Sequence, residues 1–122
     1  MTSTIQAITV DCQDALALSA FWAAVLGETV DPDDNGSGPF FQSLGRSTPP
    51  KSGVAMMFIK VPEGKSAKNR MHLDLATDDR AAEAERLLEL GASLVHDKDE
   101  WGVQWSTFSD PEGNEFCVAN AH

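Results

Sequence analysis

His72 is the residue in this 122-residue chain best suited to do chemistry. An imidazole can ligate a metal, act as a general base or donate a hydrogen bond to a substrate, because histidine ordinarily titrates close to neutral pH. It lies in Arg70-Met71-His72-Leu73-Asp74. If that stretch is extended, its period of two puts Arg70, His72 and Asp74 on one strand face. Such a row facing a cleft suits a polar or anionic small molecule. The alternative is a row of ion pairs and hydrogen bonds that fixes strand register, with Asp74 as the partner of His72. Cys117 comes next. A thiolate is a soft-metal ligand or a nucleophile, yet a His72–Cys117 pair alone makes a weak metal site, and nothing around Cys117 marks an activated thiol. The ordinary reading is a buried, inert thiol. Trp105 sits in an alternating stretch and offers an aromatic wall to an organic ligand. Asp11, near the end of the first apolar run, either faces a ligand or caps the helix that follows. Trp101, in the polar segment Lys98–Gly102, suits a lid or a dimer contact. Trp22 is expected in the core; His96, near a polar turn, and His122, the last residue, carry no signal.

Two similar sets of elements must position these residues. Residues 4–12 are rich in β-branched side chains and read as a strand. Asp14 starts a helix carrying Leu18, Phe21, Trp22 and Val25, and Gly27 ends it. Asp31–Gly36 is a turn, Phe40–Leu44 a short strand, and Thr48 to Gly53, through Ser52, a second break. Val54–Val61 is the most apolar strand. Pro62–Asn69 is a polar connection. Then Arg70–Ala76 reads as a strand, Asp78 or Asp79 as the cap of a helix ending at Gly91, and Ser93–His96 as a short strand. Val103–Ser109 and Glu115–Ala119 are strands joined by the turn Asp110-Pro111-Glu112-Gly113-Asn114.

The helix-ending glycines, Gly27 and Gly91, are 64 residues apart, as are Asp14 and Asp78. Cap, helix length, terminal glycine and following short strand recur together, the mark of an internal repeat. Neither half can bury its sheet alone. The pattern predicts one α+β domain over 1–122, with module 1 at about 1–62 and module 2 at about 70–122. Two β-α-β-β-β modules would then enclose a cleft between curved mixed sheets.

Composition narrows the function. The net charge is −10, from 19 acidic and 9 basic residues. A nucleic acid or an anionic membrane needs a basic patch, so neither is an expected partner. No apolar run approaches a membrane span and no basic leader precedes one, so a cytoplasmic protein with Cys12 and Cys117 as buried thiols is expected. There is no phosphate loop, dinucleotide fingerprint, His-Glu-x-x-His or serine elbow.

Three segments carry a resemblance: Phe21-Trp22-Ala23-Ala24-Val25-Leu26-Gly27, Lys68-Asn69-Arg70-Met71-His72-Leu73-Asp74-Leu75, and Asp110-Pro111-Glu112-Gly113-Asn114-Glu115-Phe116. In this order, on these elements, the chain resembles the vicinal-oxygen-chelate superfamily of glyoxalase, bleomycin-resistance and dioxygenase-like proteins. It is most similar to the branch of small glyoxalase-like domains. The resemblance implies a homodimer and one divalent metal held by a His, Glu or Gln from each of four strands. Those positions fall on Ala7, Ile59, His72 and Cys117. The first two cannot ligate; a one-residue slip would put Gln6 or Ile8 in place of Ala7. The expectation is therefore no complete metal site and no required cofactor, with His72 and Cys117 the only candidate ligands and His72 the one candidate catalytic base. The leading function is binding of a small organic molecule, cationic drugs or metabolites included, by His72, Asp74, Arg70, Cys117, Asp11 and Trp105. The alternative is a metal-dependent lyase, isomerase or dioxygenase with a degenerate ligand set.

Overall fold

Strand β1 (Ala7–Cys12) opens the chain's regular structure, its Ile8, Thr9 and Val10 favouring extended backbone. The computed structural model describes residues 1–51 and 53–121; Ser52, in the second expected break, and His122 lie outside the described residues. The chain divides into two compact units, Met1–Gly64 and Lys65–His122.

In the first unit, β1 leads into helix α1 (Ala15–Leu26). The Asp14 carboxylate accepts the backbone N–H groups of Leu16 at 3.1 Å and Ala17 at 3.3 Å, donors that a helix start otherwise leaves unpaired. Gly27, at φ 67°, takes the left-handed conformation that ends the helix. Leu18, Phe21, Trp22 and Val25 recur at helical spacing and are all buried. Phe21 and Trp22 meet edge to face, ring centroids 5.5 Å apart. Strands β2 (Phe41–Leu44) and β3 (Ala55–Lys60) complete a mixed sheet of order β1-β3-β2, with β3 parallel to β1 and antiparallel to β2. Leu44, Met56 and Phe58 are buried where α1 covers this sheet. Full burial of a side chain such as Phe58 contributes about 1.5–3 kcal/mol.

The first module is thus β-α-β-β. In place of another strand between helix and β2 there is a single antiparallel bridge, Val30 to Leu44. Pro32, which has no N–H, follows closely and stops the ladder. Asp31 closes the loop instead, accepting the Ser43 hydroxyl at 2.6 Å and the backbone N–H groups of Arg46 at 2.9 Å and Ser47 at 3.2 Å. Burial alone would raise the Asp31 pKa; these hydrogen bonds outweigh it and hold the carboxyl below its ordinary value.

The second unit has the full β-α-β-β-β pattern. Its elements are β4 (Asp74–Thr77), α2 (Arg80–Leu90), β5 (Ser93–Glu100), β6 (Val103–Ser109) and β7 (Glu115–Asn120). The sheet order is β4-β7-β6-β5, parallel between β4 and β7 and antiparallel elsewhere. Asp79, the second of the two expected caps, accepts the Ala82 N–H at 3.1 Å, and α2 ends at Gly91. Leu87 is the one fully buried residue of α2, over Phe108, Phe116 and Val118 of the sheet. The architecture is α+β with two mixed sheets, as expected. No helix among the described residues is long and apolar enough to cross a membrane.

Two strands differ from their expected spans. The strand expected over 70–76 begins only at Asp74. Before it, the side chain of Asn69 takes the place of a backbone rung: its Oδ1 accepts the Glu115 N–H at 2.8 Å and its Nδ2 donates to the Glu115 carbonyl at 3.1 Å. The strand expected over 93–96 runs on to Glu100, because β5 pairs with β6 as far as Glu100 opposite Val103. Only Trp101 and Gly102 remain to turn the hairpin, both at positive φ (55° and 75°). That is the backbone of the tight turn whose right-handed twist suits a hairpin, normally filled by Asn-Gly or Asp-Gly.

Candidate functional site

Side chains alternate across a strand, so the face of the second sheet opposite α2 is fixed by its register. Asp74 lies beside Cys117, Cys117 beside Thr107, and Thr107 beside His96; the next row brings Ala76, Ala119, Trp105 and Lys98 together. Phe108, Phe116 and Val118 have the opposite parity and are buried. The open face borders a cavity of about 500 Å³, all of whose lining residues belong to the second unit. Its apolar walls come from Leu75, Val103, Trp105 and Ala119, and its polar groups from Lys68, His72, Asp74, His96, Thr107, Glu115 and Cys117.

His72 sits just before β4, where Asn69 anchors one end of its segment and the Cys117 N–H, donating to the Leu73 carbonyl at 2.9 Å, anchors the other. His72 Nε2 is 3.4 Å from Asp74 Oδ1, the pairing expected from their spacing. Cys117 is a free thiol, 3.3 Å from the Thr107 hydroxyl. One ligand atom from each of His72, Asp74 and Cys117 lies within 4.8 Å of the others. Lys68 Nζ contacts Glu115 Oε1 at 2.8 Å across the mouth of the cavity. Its hydrogen bond holds the Glu115 carboxyl below its ordinary pKa, helped by the positive fields of Lys68, His96 and Lys65. Trp101, 88% exposed at the hairpin tip, stacks on Trp105 with centroids 6.3 Å apart and planes 14° from parallel.

Of the six residues expected to bind ligand, His72, Asp74, Cys117 and Trp105 line one cavity. Arg70 does not: it is exposed, in a stretch that forms no strand and so imposes no common face on residues 70, 72 and 74. Asp11 is exposed on β1 of the first unit, beside Ile59. Cys117 is half-buried and borders the cavity instead of lying inert in the core; Cys12 is the buried thiol, its Sγ 3.5 Å from the Ile59 carbonyl. Trp22 is in the core as expected. His96, Thr107, Lys68 and Glu115 carried no signal as site residues in the sequence. Alternation along β5 and β6 would have picked out His96 and Thr107 once the hairpin's register was known.

The fold is similar to that of solved structures from the glyoxalase, bleomycin-resistance and dioxygenase superfamily. A family enzyme from Burkholderia phytofirmans is similar with TM-score 0.74 at 18% identity, over 98% of this chain and 100% of its own. A superfamily member from Sphaerobacter thermophilus gives TM-score 0.70 at 20% identity, over 98% of each chain. A mutant of the fosfomycin resistance protein of Listeria monocytogenes, complexed with Mn(II) and dihydroxypropylphosphonic acid, gives TM-score 0.76 at 15% identity, over 98% of this chain and 90% of its own. None of the curated proteins compared matches the chain in sequence. The glyoxalase-like domain model matches residues 7–119, and the chain belongs to that family.

A divalent metal of the kind the superfamily holds on four strands does not fit these residues. Ala7 and Ile59 lie on the open face of the first sheet, beside Ala55 and Asp11 respectively, and offer no donor atom. Of the slipped alternatives, Gln6 precedes β1, and Ile8 is an aliphatic side chain of opposite parity. Two of the four positions are without a ligand, and no chemical step follows from that set.

Proposed function

We propose that the open face of the second unit binds a small organic molecule with an apolar body and a polar head. The observation that carries this reading is the cavity of about 500 Å³, a size typical of small-molecule sites, with Trp105, Leu75 and Val103 on its walls and His72, Asp74, Lys68 and Glu115 at its polar side. Trp101 extends the aromatic wall beyond the cavity rim through its stack on Trp105. The net charge of −10 favours a cationic or neutral ligand over an anionic one. The small organic acid bound by the Listeria neighbour supports an occupant of this size. His72, beside Asp74, orients the polar head by hydrogen bonding. Homodimer formation is part of the same proposal, with sedimentation as its check.

The test is a thermal-shift and tryptophan-quenching screen of planar cationic, neutral and anionic compounds against the wild type and Trp105→Ala. A hit that quenches the wild type and loses at least about tenfold in affinity in the variant is expected, the scale of a buried aromatic contact. Hits that bind the variant equally well would place the site elsewhere.

A second reading, a metal-dependent lyase, isomerase or dioxygenase, is favoured by one observation, the grouping of His72, Asp74 and Cys117 within 4.8 Å. Turnover of a dicarbonyl or catechol substrate that requires added metal would establish it over simple binding.

A further inference from the structure

We infer that the open face of the first unit is a separate binding site for a small organic acid, in which Arg46 holds the carboxylate and the sheet takes the apolar chain. Every residue lining its cavity lies in the first unit, and its charge preference is opposite to that of the site proposed above. It therefore stands whether or not the second unit binds a ligand.

Charge carries the first part. With 19 acidic residues against 9 basic, a cation on this chain readily finds a carboxylate, as Lys68, Arg80, Arg86 and Lys98 do. Arg46 forms no ion pair among the described residues. It is also the one charged group in the cavity lining, which has no carboxylate among the described residues. The net charge of the whole chain disfavours an anion, and this lining reverses the sign locally. Placement carries the second part. Asp31 accepts the backbone N–H groups of Arg46 at 2.9 Å and Ser47 at 3.2 Å. Gly45, at φ 79°, lies so close to Pro50 that a Cβ there would come within 2.6 Å of the proline ring. The segment presenting Arg46 is thus fixed from two sides, and its guanidinium carbon stands 6.0 Å from the centre of the Phe41 ring. A guanidinium held in this way loses little further freedom on binding, and its planar fork matches both oxygens of a carboxylate. Shape carries the third part. Register sets Ala7 beside Ala55 and Thr9 beside Met57, so short side chains leave a floor and the Met57 thioether an apolar wall. The cavity of about 920 Å³ is of small-molecule size. Asp11 ends the next row of the same face, beside Ile59, and does not border the cavity; a carboxylate there favours a monoacid over a diacid.

The test is an amide-correlation NMR titration of the full chain with hexanoate, hexanol and hexylamine, which share an alkyl chain and differ in head group. Hexanoate is expected to shift the amides of Thr9, Arg46 and Met57 saturably and to bind at least about tenfold more tightly than either control, the scale of a charge-assisted contact. Arg46→Gln, at an exposed side chain, is expected to fold as the wild type does and to lose at least about tenfold in hexanoate affinity. Arg46→Lys, a point charge without the fork, is expected to fall between the two. Trp105→Ala is expected to leave hexanoate binding unchanged, and Arg46→Gln to leave ligands of the second unit unchanged, so either site can fail alone. No saturable shift with hexanoate, equal affinity for the three compounds, shifts confined to the second unit, or an affinity unmoved by Arg46→Gln would each overturn the site.

Discussion

The open face of the first unit borders a cavity of about 920 Å³ whose lining, which includes Ala7, Thr9, Arg46, Ala55 and Met57, has no His, Cys, Asp or Glu among the described residues. The corresponding face of the second unit borders a smaller cavity that carries two imidazoles, two carboxylates, a thiol and an ammonium group. The helix-covered sides differ in the reverse sense. Helix α1 buries Leu18, Phe21, Trp22 and Val25, whereas α2 fully buries only Leu87 and turns Glu85, Arg86, Leu88 and Glu89 outward. One repeated plan has been specialised on opposite sides of its sheet. The first unit holds its stability on the helix side, and the second gathers its reactive groups on the open side.

The sharpest way to break this comparison is to remove core volume from each unit. Phe58→Ala, in the centre of β3, is expected to cost about 3–5 kcal/mol. Leu87→Ala is expected at the lower end of about 2–5 kcal/mol, because the mostly exposed α2 can shift to fill the void. Urea unfolding of the two variants decides the point; a larger loss at Leu87 would reverse the assignment of stability to the first unit.

Asn69→Ala comes next in size. It removes both hydrogen bonds to the Glu115 backbone, an expected loss of about 1–3 kcal/mol. It should also free the segment carrying His72, so affinity for an organic ligand that quenches Trp105 is expected to fall by up to about tenfold, the scale of one more side chain to be ordered on binding. Phe58→Ala, compared under conditions where it is still folded, should leave that affinity alone. If Asn69→Ala changes stability but not ligand binding, the anchoring of His72 lies in the ladder bond at Leu73 and not in Asn69.

Acid distinguishes the units more finely. The folded pKa of Asp31 and that of Glu115 are both depressed, so each carboxyl contributes stability that is present above the unfolded carboxylate range, near about 4, and lost as pH falls through the folded value. Stability is therefore expected to drop below about pH 4.5. Asp31→Asn should flatten that acid limb more than Glu115→Gln, since Asp31 accepts three hydrogen bonds inside its loop while Glu115 faces an exposed lysine. Unfolding curves between neutral pH and pH 3 would show equal flattening if the two networks were equivalent.

The elements legible in the sequence were those with local signals. Asp14, Gly27 and Gly91 marked helix ends through capping chemistry, and Asp110-Pro111-Glu112-Gly113-Asn114 marked a turn that Asp110 ties to the backbone N–H groups of Glu112 and Asn114. His72 and Asp74 were legible as a pair because two residues of separation suffice to place them together. What was not legible depended on partners distant in sequence. Arg70 was expected on the same face because nothing local reveals that Asn69 pairs with Glu115, 46 residues away. His96 and Thr107 became site residues only through the register of β5 on β6. The length of β5 was missed because Trp101 is not a residue that ordinarily signals a two-residue hairpin.

Trp101 supplies the finest test. It is the one non-glycine residue at positive φ among the described residues, and it is bulky, exposed and placed where Asn or Gly is the usual choice. Such a conformation costs about 1–3 kcal/mol, and an aromatic stack such as that on Trp105 returns only about 0.5–1.5 kcal/mol. The stack therefore does not offset the whole strain of the turn, and it extends the aromatic surface beside the second unit's cavity. Trp101→Gly is therefore expected to leave stability unchanged or raise it by up to about 1 kcal/mol, while weakening the binding of any organic ligand that quenches Trp105. Thermal unfolding and fluorescence titration on the same variant separate the two effects. A loss of stability above about 1 kcal/mol with unchanged ligand affinity would make the stack a structural feature of the hairpin, and the second unit's site would end at Trp105.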